Sequence, residues 1–252
     1  MASPTTKLAV LVDAENASPA VAAPLLAEIA KYGTAFARRA YGDWTGTGLR
    51  GWKDQLLTLS IQPVQQFAYT QGKNATDSAM IIDAMDLLYS GRFDGFCLVS
   101  SDSDFTRLAS RIREAGLVVY GCGERKTPRP FVAACTKFIF TENVLKPVEE
   151  PAPAAPATDP AASVSALPKA PPPGPLHWLL AATRDTSDDD GWANLASVGG
   201  LVNKRHPEFD PRSYGFLKLS DLIIESKRFD IDRRIPSPGK PAVMYVREKR
   251  TC

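Results

Sequence analysis

The sequence predicts an α/β fold built on a parallel sheet, followed by a spacer and a small winged helix. Three observations carry this. Apolar runs such as Lys7–Asp13 and Phe93–Ser100 are nearly unbroken and alternate with helical patterns, as in a parallel sheet covered on both faces. Residues 147–175 contain ten prolines and eight alanines but no aromatic side chain, so they cannot bury enough surface to fold. Residues 176–248 read as three helices and then two short extended pieces, the outline of a winged helix.

Taken in order, Lys7 to Asp13 is a first strand ending in an acid. Ser18 and Pro19 give the cap and first turn of a helix through Lys31, stopped by Gly33. Thr34 to Tyr41 is a second strand, Leu49 to Leu59 a helix, and Ile61 to Ala68 a third strand that tolerates Pro63 near its start. After the polar turn from Gln71 to Thr76, Asp77 opens a helix reaching Leu88, with Met80, Ile81, Ala84, Leu87 and Leu88 at helical spacing. Phe93 to Ser100 is strand four, and a helix from Asp104 to Ala115 ends at Gly116. Leu117 to Cys122 is strand five and Lys137 to Phe140 a short sixth. This first domain spans residues 5–146.

The 147–175 segment is expected to be a disordered, semi-extended tether with a root-mean-square span on the order of 30 Å or more. In the second domain, Leu176 to Thr183 is helical and Asp188 to Gly191 a turn. Trp192, Leu195, Val198, Leu201 and Val202 form a stripe ending near Arg205. A helix from Tyr214 to Glu225 turns Leu217, Leu219, Leu222 and Ile223 inward, and the pieces Phe229–Arg233 and Ala242–Arg247 form a ribbon.

Composition narrows the chemistry. A hydrophobic fraction of 44% with 23% charged residues is ordinary for a globular protein. No apolar run approaches a membrane span and the N-terminus lacks a cleavage pattern, so a cytoplasmic location without membrane attachment is expected. The four cysteines show no paired spacing and read as small core residues. A net charge of +2 gives no strong global field, so nucleic acid would have to meet a local patch. The two histidines, His177 and His206, both lie in the last third; the first domain therefore has no Ser-His-Asp or Cys-His mechanism of its own and no His-ligated zinc.

What remains is carboxylate chemistry. Acids stand at three strand ends or the helix starts beside them: Asp13, Asp77, and Asp102 with Asp104. In an open α/β sheet these edges share one cleft. Four acids crowded there raise one another's pKa unless a cation neutralises them, and oxygen-only ligands select Mg²⁺ or Mn²⁺. Such an ion supports phosphodiester cleavage. Each acid also has a plainer role: Asp102 or Ser103 as a cap, Asp77 as an N-cap, Asp104 as a dipole partner, Asp13 as the start of a turn. One cap needs one acid, so the second at 102–104 favours the cation. Asn16 serves as helix cap or as an orienting group. Lys73 is a candidate phosphate contact, and Arg38, Arg39, Arg107, Arg111, Arg125, Lys126 and Arg129 are candidates for a backbone path. Asp83 and Asp86 are expected to be solvated.

Val12-Asp13-Ala14-Glu15-Asn16, Lys73 with Thr76-Asp77, and Ser101-Asp102-Ser103-Asp104-Phe105 together resemble the NYN domain, a branch of the PIN-like nucleases. The resemblance implies a PIN-like Rossmannoid fold and a Mg²⁺/Mn²⁺-dependent ribonuclease site. Asp13, Asp77, Asp102 and Asp104 would be its metal-holding, catalytic acids and Asn16 their support. The run Pro207 to Leu222 with Phe229 resembles an OST-HTH (LOTUS) domain, which implies binding of RNA, G-rich RNA included, and in some members of a protein partner. Arg212, Tyr214 and Lys218 would then offer charge and a stacking face, unless Tyr214 and Phe216 are core.

The expected function is a metal-dependent ribonuclease whose tethered winged helix recruits single-stranded or structured RNA. A non-catalytic RNA-binding adaptor with a vestigial metal site is the alternative. A phosphotransfer receiver is disfavoured by the Asp-Ser-Asp-Phe pattern. A homodimer, and a protein partner for the C-terminal domain, stay open.

Overall fold

The structure is a computed structural model and describes residues 5–67, 75–145, 173–235 and 242–249. The chain divides into two compact units, the first reaching Lys146. The expected tether lies outside the described residues except at its end, and Lys73 lies outside them too.

The first unit holds a six-stranded parallel sheet of β1 (Lys7–Asp13), β2 (Thr34–Gly42), β3 (Gln62–Gln65), β4 (Gly95–Val99), β5 (Val118–Gly123) and β6 (Lys137–Phe140), in the order β3-β2-β1-β4-β5-β6. The chain works outward from β1 in one direction, then returns to lay β4 on its other side. That reversal opens a crevice past the carboxyl ends of β1 and β4. The ends are level, with Val12 opposite Val99 and Asp13 opposite Tyr41.

Alternation along β1 explains its apolar run. Ala9 and Leu11 enter one core with Phe96 and Leu98, beneath α3 (Ala75–Tyr89), α4 (Thr106–Glu114) and α5 (Arg129–Ala134). Leu8, Val10 and Val12 enter the other core with Cys97 and Val99, covered by α1 (Ala22–Ile29) and Trp52. Here α2 (Lys53–Thr58) follows Trp52, and α6 (Thr141–Leu145) closes the unit. The predicted doubly covered parallel sheet is thus the observed one. Cys97, Cys122 and Cys135 are buried and free, and burial pushes each thiol up, so they act as apolar filler.

Local differences from the sequence reading have physical causes. Helix α3 opens at Ala75, so Asp77 sits inside the first turn and not at the cap. A 3-10 turn, Ser103–Phe105, precedes α4, and Asp102 is its N-cap. Helices α5 and α6 have six and five residues, too short for helical periodicity to show in sequence.

The second unit comprises α7 (Pro173–Thr186), β7 (Ala193–Asn194), α8 (Leu195–Arg205), α9 (Leu219–Ser226), β8 (Phe229–Arg234) and β9 (Val243–Glu248), with antiparallel strand order β7-β9-β8. Leu179, Val198, Val202, Phe209, Leu222, Ile223 and Val246 fill its core, as the winged-helix reading requires. The helix expected from Tyr214 is interrupted. Pro211–Tyr214 is a 3-10 turn ended by Gly215 at φ +86°, and extended Lys218 restarts the helix. Leu217, placed inward by the sequence pattern, is therefore exposed.

Candidate active site

Three of the predicted acids converge. Carboxylate oxygens of Asp77, Asp102 and Asp104 lie within 4.8 Å of one another. Asp77 comes from the first turn of α3, while Asp102 and Asp104 come from the turn after β4, so the sheet reversal brings together residues far apart in sequence. Asp102 has two roles: its Oδ1 accepts the Asp104 amide at 2.9 Å, which is a cap, and it belongs to the cluster.

Asp13 does not join this set. It is 1% exposed, and its carboxylate ties the ends of β1 and β4 together. Oδ2 accepts the Ser100 hydroxyl at 2.9 Å, and Oδ1 accepts the backbone amides of Glu15 and Asn16 at 3.2 Å each. Ser100 Oγ in turn accepts the Asp102 amide at 3.1 Å. Asp13 therefore reaches the cluster through one hydroxyl. Burial raises its pKa, opposed by Ser100 and by the backbone and side chain of Asn16.

The cluster is electrostatically strained. Burial first, and then the charges of Asp13, Asp102, Asp104 and Glu15, push Asp77 up to about 6. Hard, oxygen-only donors that repel one another fit a small divalent cation. Two contributors escaped the sequence reading. Ser100 is the first hydroxyl after an apolar strand and lies buried at the site. Glu15 sits inside the motif around Asp13 and adds to the field on Asp77.

The predicted cationic path thins out. Arg38 donates to the Leu59 carbonyl, Arg39 pairs with Asp83, Arg111 donates to the Tyr89 hydroxyl, and Arg125 donates to Asn143. Asp83, expected to be solvated, accepts hydrogen bonds from both Arg39 and Tyr41. Arg107 is exposed one turn beyond Asp104, and Asn16 is exposed three residues after Asp13.

In the second unit, Arg212 is held by Asp210 through several hydrogen bonds, the shortest 2.6 Å. Tyr214 packs against Phe209 with ring centroids 6.2 Å apart, and Lys218 is exposed. Arg212 is thus chiefly a support for the turn that carries the other two.

A family model for the NYN domain matches residues 7–144, and one for the OST-HTH/LOTUS domain matches residues 174–240. Among solved structures, the chain is similar to a protein of unknown function from Vibrio parahaemolyticus. That match has 20% identity and a TM-score of 0.48, over 56% of this chain and 96% of that one. It is also similar to an uncharacterised protein from Nitrosomonas europaea, at 36% identity and a TM-score of 0.31, over 39% of this chain and 94% of that one. No curated protein matches. Among the described residues no helix is long and apolar enough to cross a membrane. With three acids gathered past the central strands and a family match over more than half its length, the chain belongs to the NYN domain family, a branch of the PIN-like nucleases, and carries an OST-HTH/LOTUS domain behind it.

Proposed function

We propose that the NYN domain hydrolyses RNA phosphodiester bonds at the Asp77–Asp102–Asp104 cluster, using Mg²⁺ or Mn²⁺, and that the LOTUS domain recruits the RNA. The observation that carries this is the convergence of three carboxylates on one point past β4. A cation held there supplies Lewis acidity and a water of lowered pKa. Asp77, Asp102 and Asp104 hold it. Asp13 and Ser100 keep the turn after β4 fixed against β1, which sets the positions of Asp102 and Asp104. Asn16 is exposed beside Asp13 and offers an amide donor to a phosphate oxygen, and Arg107 offers a charge to the strand. Lys73 is proposed as a further phosphate contact. In the LOTUS domain, Lys218 and Tyr214 are the proposed RNA contacts, with Arg212 positioning the turn.

Cleavage of single-stranded and structured RNA in Mn²⁺, by the parent and by Asp102→Asn, tests the reading. Asparagine keeps the cap and removes the charge. Equal RNA binding with cleavage by the parent alone supports the nuclease. Binding without cleavage by either protein makes the chain an adaptor.

A further inference from the structure

A cavity of about 240 Å³ lies past the ends of β1, β4 and β5, with Ser100, whose hydroxyl oxygen accepts the Asp102 amide, in its wall. Val21, Val99 and Leu145 give it apolar walls, and Ser18, Ser101 and Glu142 give it polar ones. Asn16 and Ser100 also line it; the Asn16 amide and the Ser100 hydroxyl both bond Asp13, and Ser100 Oγ accepts the Asp102 amide, so Ser100 belongs both to the cavity wall and to the turn that carries two of the clustered acids. Its volume is below the roughly 300–1,000 Å³ of pockets that enclose drug-sized ligands, which suits one ring system and not a stretch of chain.

The polar groups say which ring. Ser18 stands at the start of a helix without capping it. Ser101 Oγ accepts the Glu124 amide at 2.9 Å, leaving its own proton to donate. Glu142 Oε1 accepts the Arg125 amide at 2.9 Å and Oε2 a long bond from Thr141 at 3.5 Å. A carboxylate has about four lone-pair sites and accepts only, so Glu142 retains acceptor capacity toward a ligand. Glu124 is instead ion-paired with Lys126 at 3.0 Å.

Resting on the nuclease reading, we infer that this cavity receives the base of a nucleotide flanking the scissile phosphate, and that Glu142 selects guanine there. Guanine alone among the four bases places two N–H donors side by side on its Watson–Crick edge, the match for a carboxylate. Uracil sets a single N–H between two carbonyl oxygens that a carboxylate repels. Splayed single-stranded bases are read on these edges. The apolar walls hold the ring faces.

The test titrates 5′-GMP, AMP, CMP and UMP into the full chain, followed by calorimetry, for the parent, Glu142→Gln and Leu145→Trp. Glutamine keeps an acceptor for the Arg125 amide while turning one oxygen into a donor. Leu145 is 42% exposed, so tryptophan there narrows the mouth without entering the core. GMP is expected to bind the parent roughly tenfold or more tighter than UMP, as a bidentate base contact provides. Glu142→Gln abolishes the preference, and Leu145→Trp weakens all four nucleotides. Equal binding of the four by the parent, no binding of any, or a guanine preference that survives Glu142→Gln overturns the inference. A parent that cleaves RNA but shows no guanine preference sinks the pocket alone. A guanine preference without cleavage sinks the nuclease and leaves the pocket.

Discussion

The Ser100 hydroxyl donates a 2.9 Å hydrogen bond to Asp13 Oδ2, and both residues are almost completely buried. This one contact joins the ends of the two central strands and, through the Asp102 amide, the turn that carries two of the clustered acids. Ser100→Ala leaves a buried carboxylate oxygen unsatisfied, which costs about 1–3 kcal/mol. The midpoint of urea unfolding falls accordingly, and metal-dependent cleavage falls with it although no metal-holding side chain has changed.

Asp77→Asn separates site from scaffold. Without metal, the variant is more stable than the parent at neutral pH by roughly 1 kcal/mol, because a repelled charge is gone and its solvent-screened neighbours relax. Thermal unfolding with and without Mn²⁺ reads both effects. The parent's Tm rises on adding metal, by mass action, whereas the variant starts higher and rises less.

The same crowding sets a pH dependence. Burial and crowded surroundings push the Asp77 carboxyl up to about 6 in the folded protein, from its ordinary value of 3.8 when unfolded. Between these values the folded state binds more protons, so this group makes metal-free stability fall as pH rises from about 4 to 6 and adds no slope above. Metal must displace that proton. Mn²⁺ affinity measured by calorimetry therefore weakens steadily as pH drops below about 6.

Asp83 offers a control. It accepts from Arg39 and from the buried Tyr41 hydroxyl but lies outside the acid cluster. Asp83→Ala leaves the Tyr41 hydroxyl unpaired and costs about 1–3 kcal/mol in urea unfolding. The rise in Tm on adding Mn²⁺ stays at the parent's value, which distinguishes this loss from damage to the site.

These residues show where sequence reasoning reaches and stops. The unbroken runs of β1 and β4 announce a sheet buried on both faces, and acids at their ends announce the cleft, because both signals are local. Asp83 was unreadable: its partners lie more than forty positions away on β2, and a mid-helix acid looks solvated until the sheet is assembled. Asp13 is legible as a site residue but not as the buried clasp it is, since burial depends on register with β4. Helix α5 is hidden for want of length. The Arg212–Asp210 pair is two residues apart and was readable in principle, the N-cap at Asp210 being its signal.

The close approach of β5 at Gly123 holds the site by backbone fit. At the end of β5, a Cβ on this residue would sit 2.6 Å from the Ser100 carbonyl oxygen and 2.7 Å from Thr127 Oγ1. Backbone cannot yield as a flexible side-chain tip does, so the turn after β4 must move. Gly123→Ala costs about 1–3 kcal/mol by overpacking. Because that turn carries Ser100, Asp102 and Asp104, Mn²⁺ affinity drops as well, while Asp83→Ala at a similar cost in stability leaves it intact. Calorimetric titration of the two variants side by side decides the point: equal Mn²⁺ affinity in both shows that the close approach of β5 supports the fold and not the acid cluster.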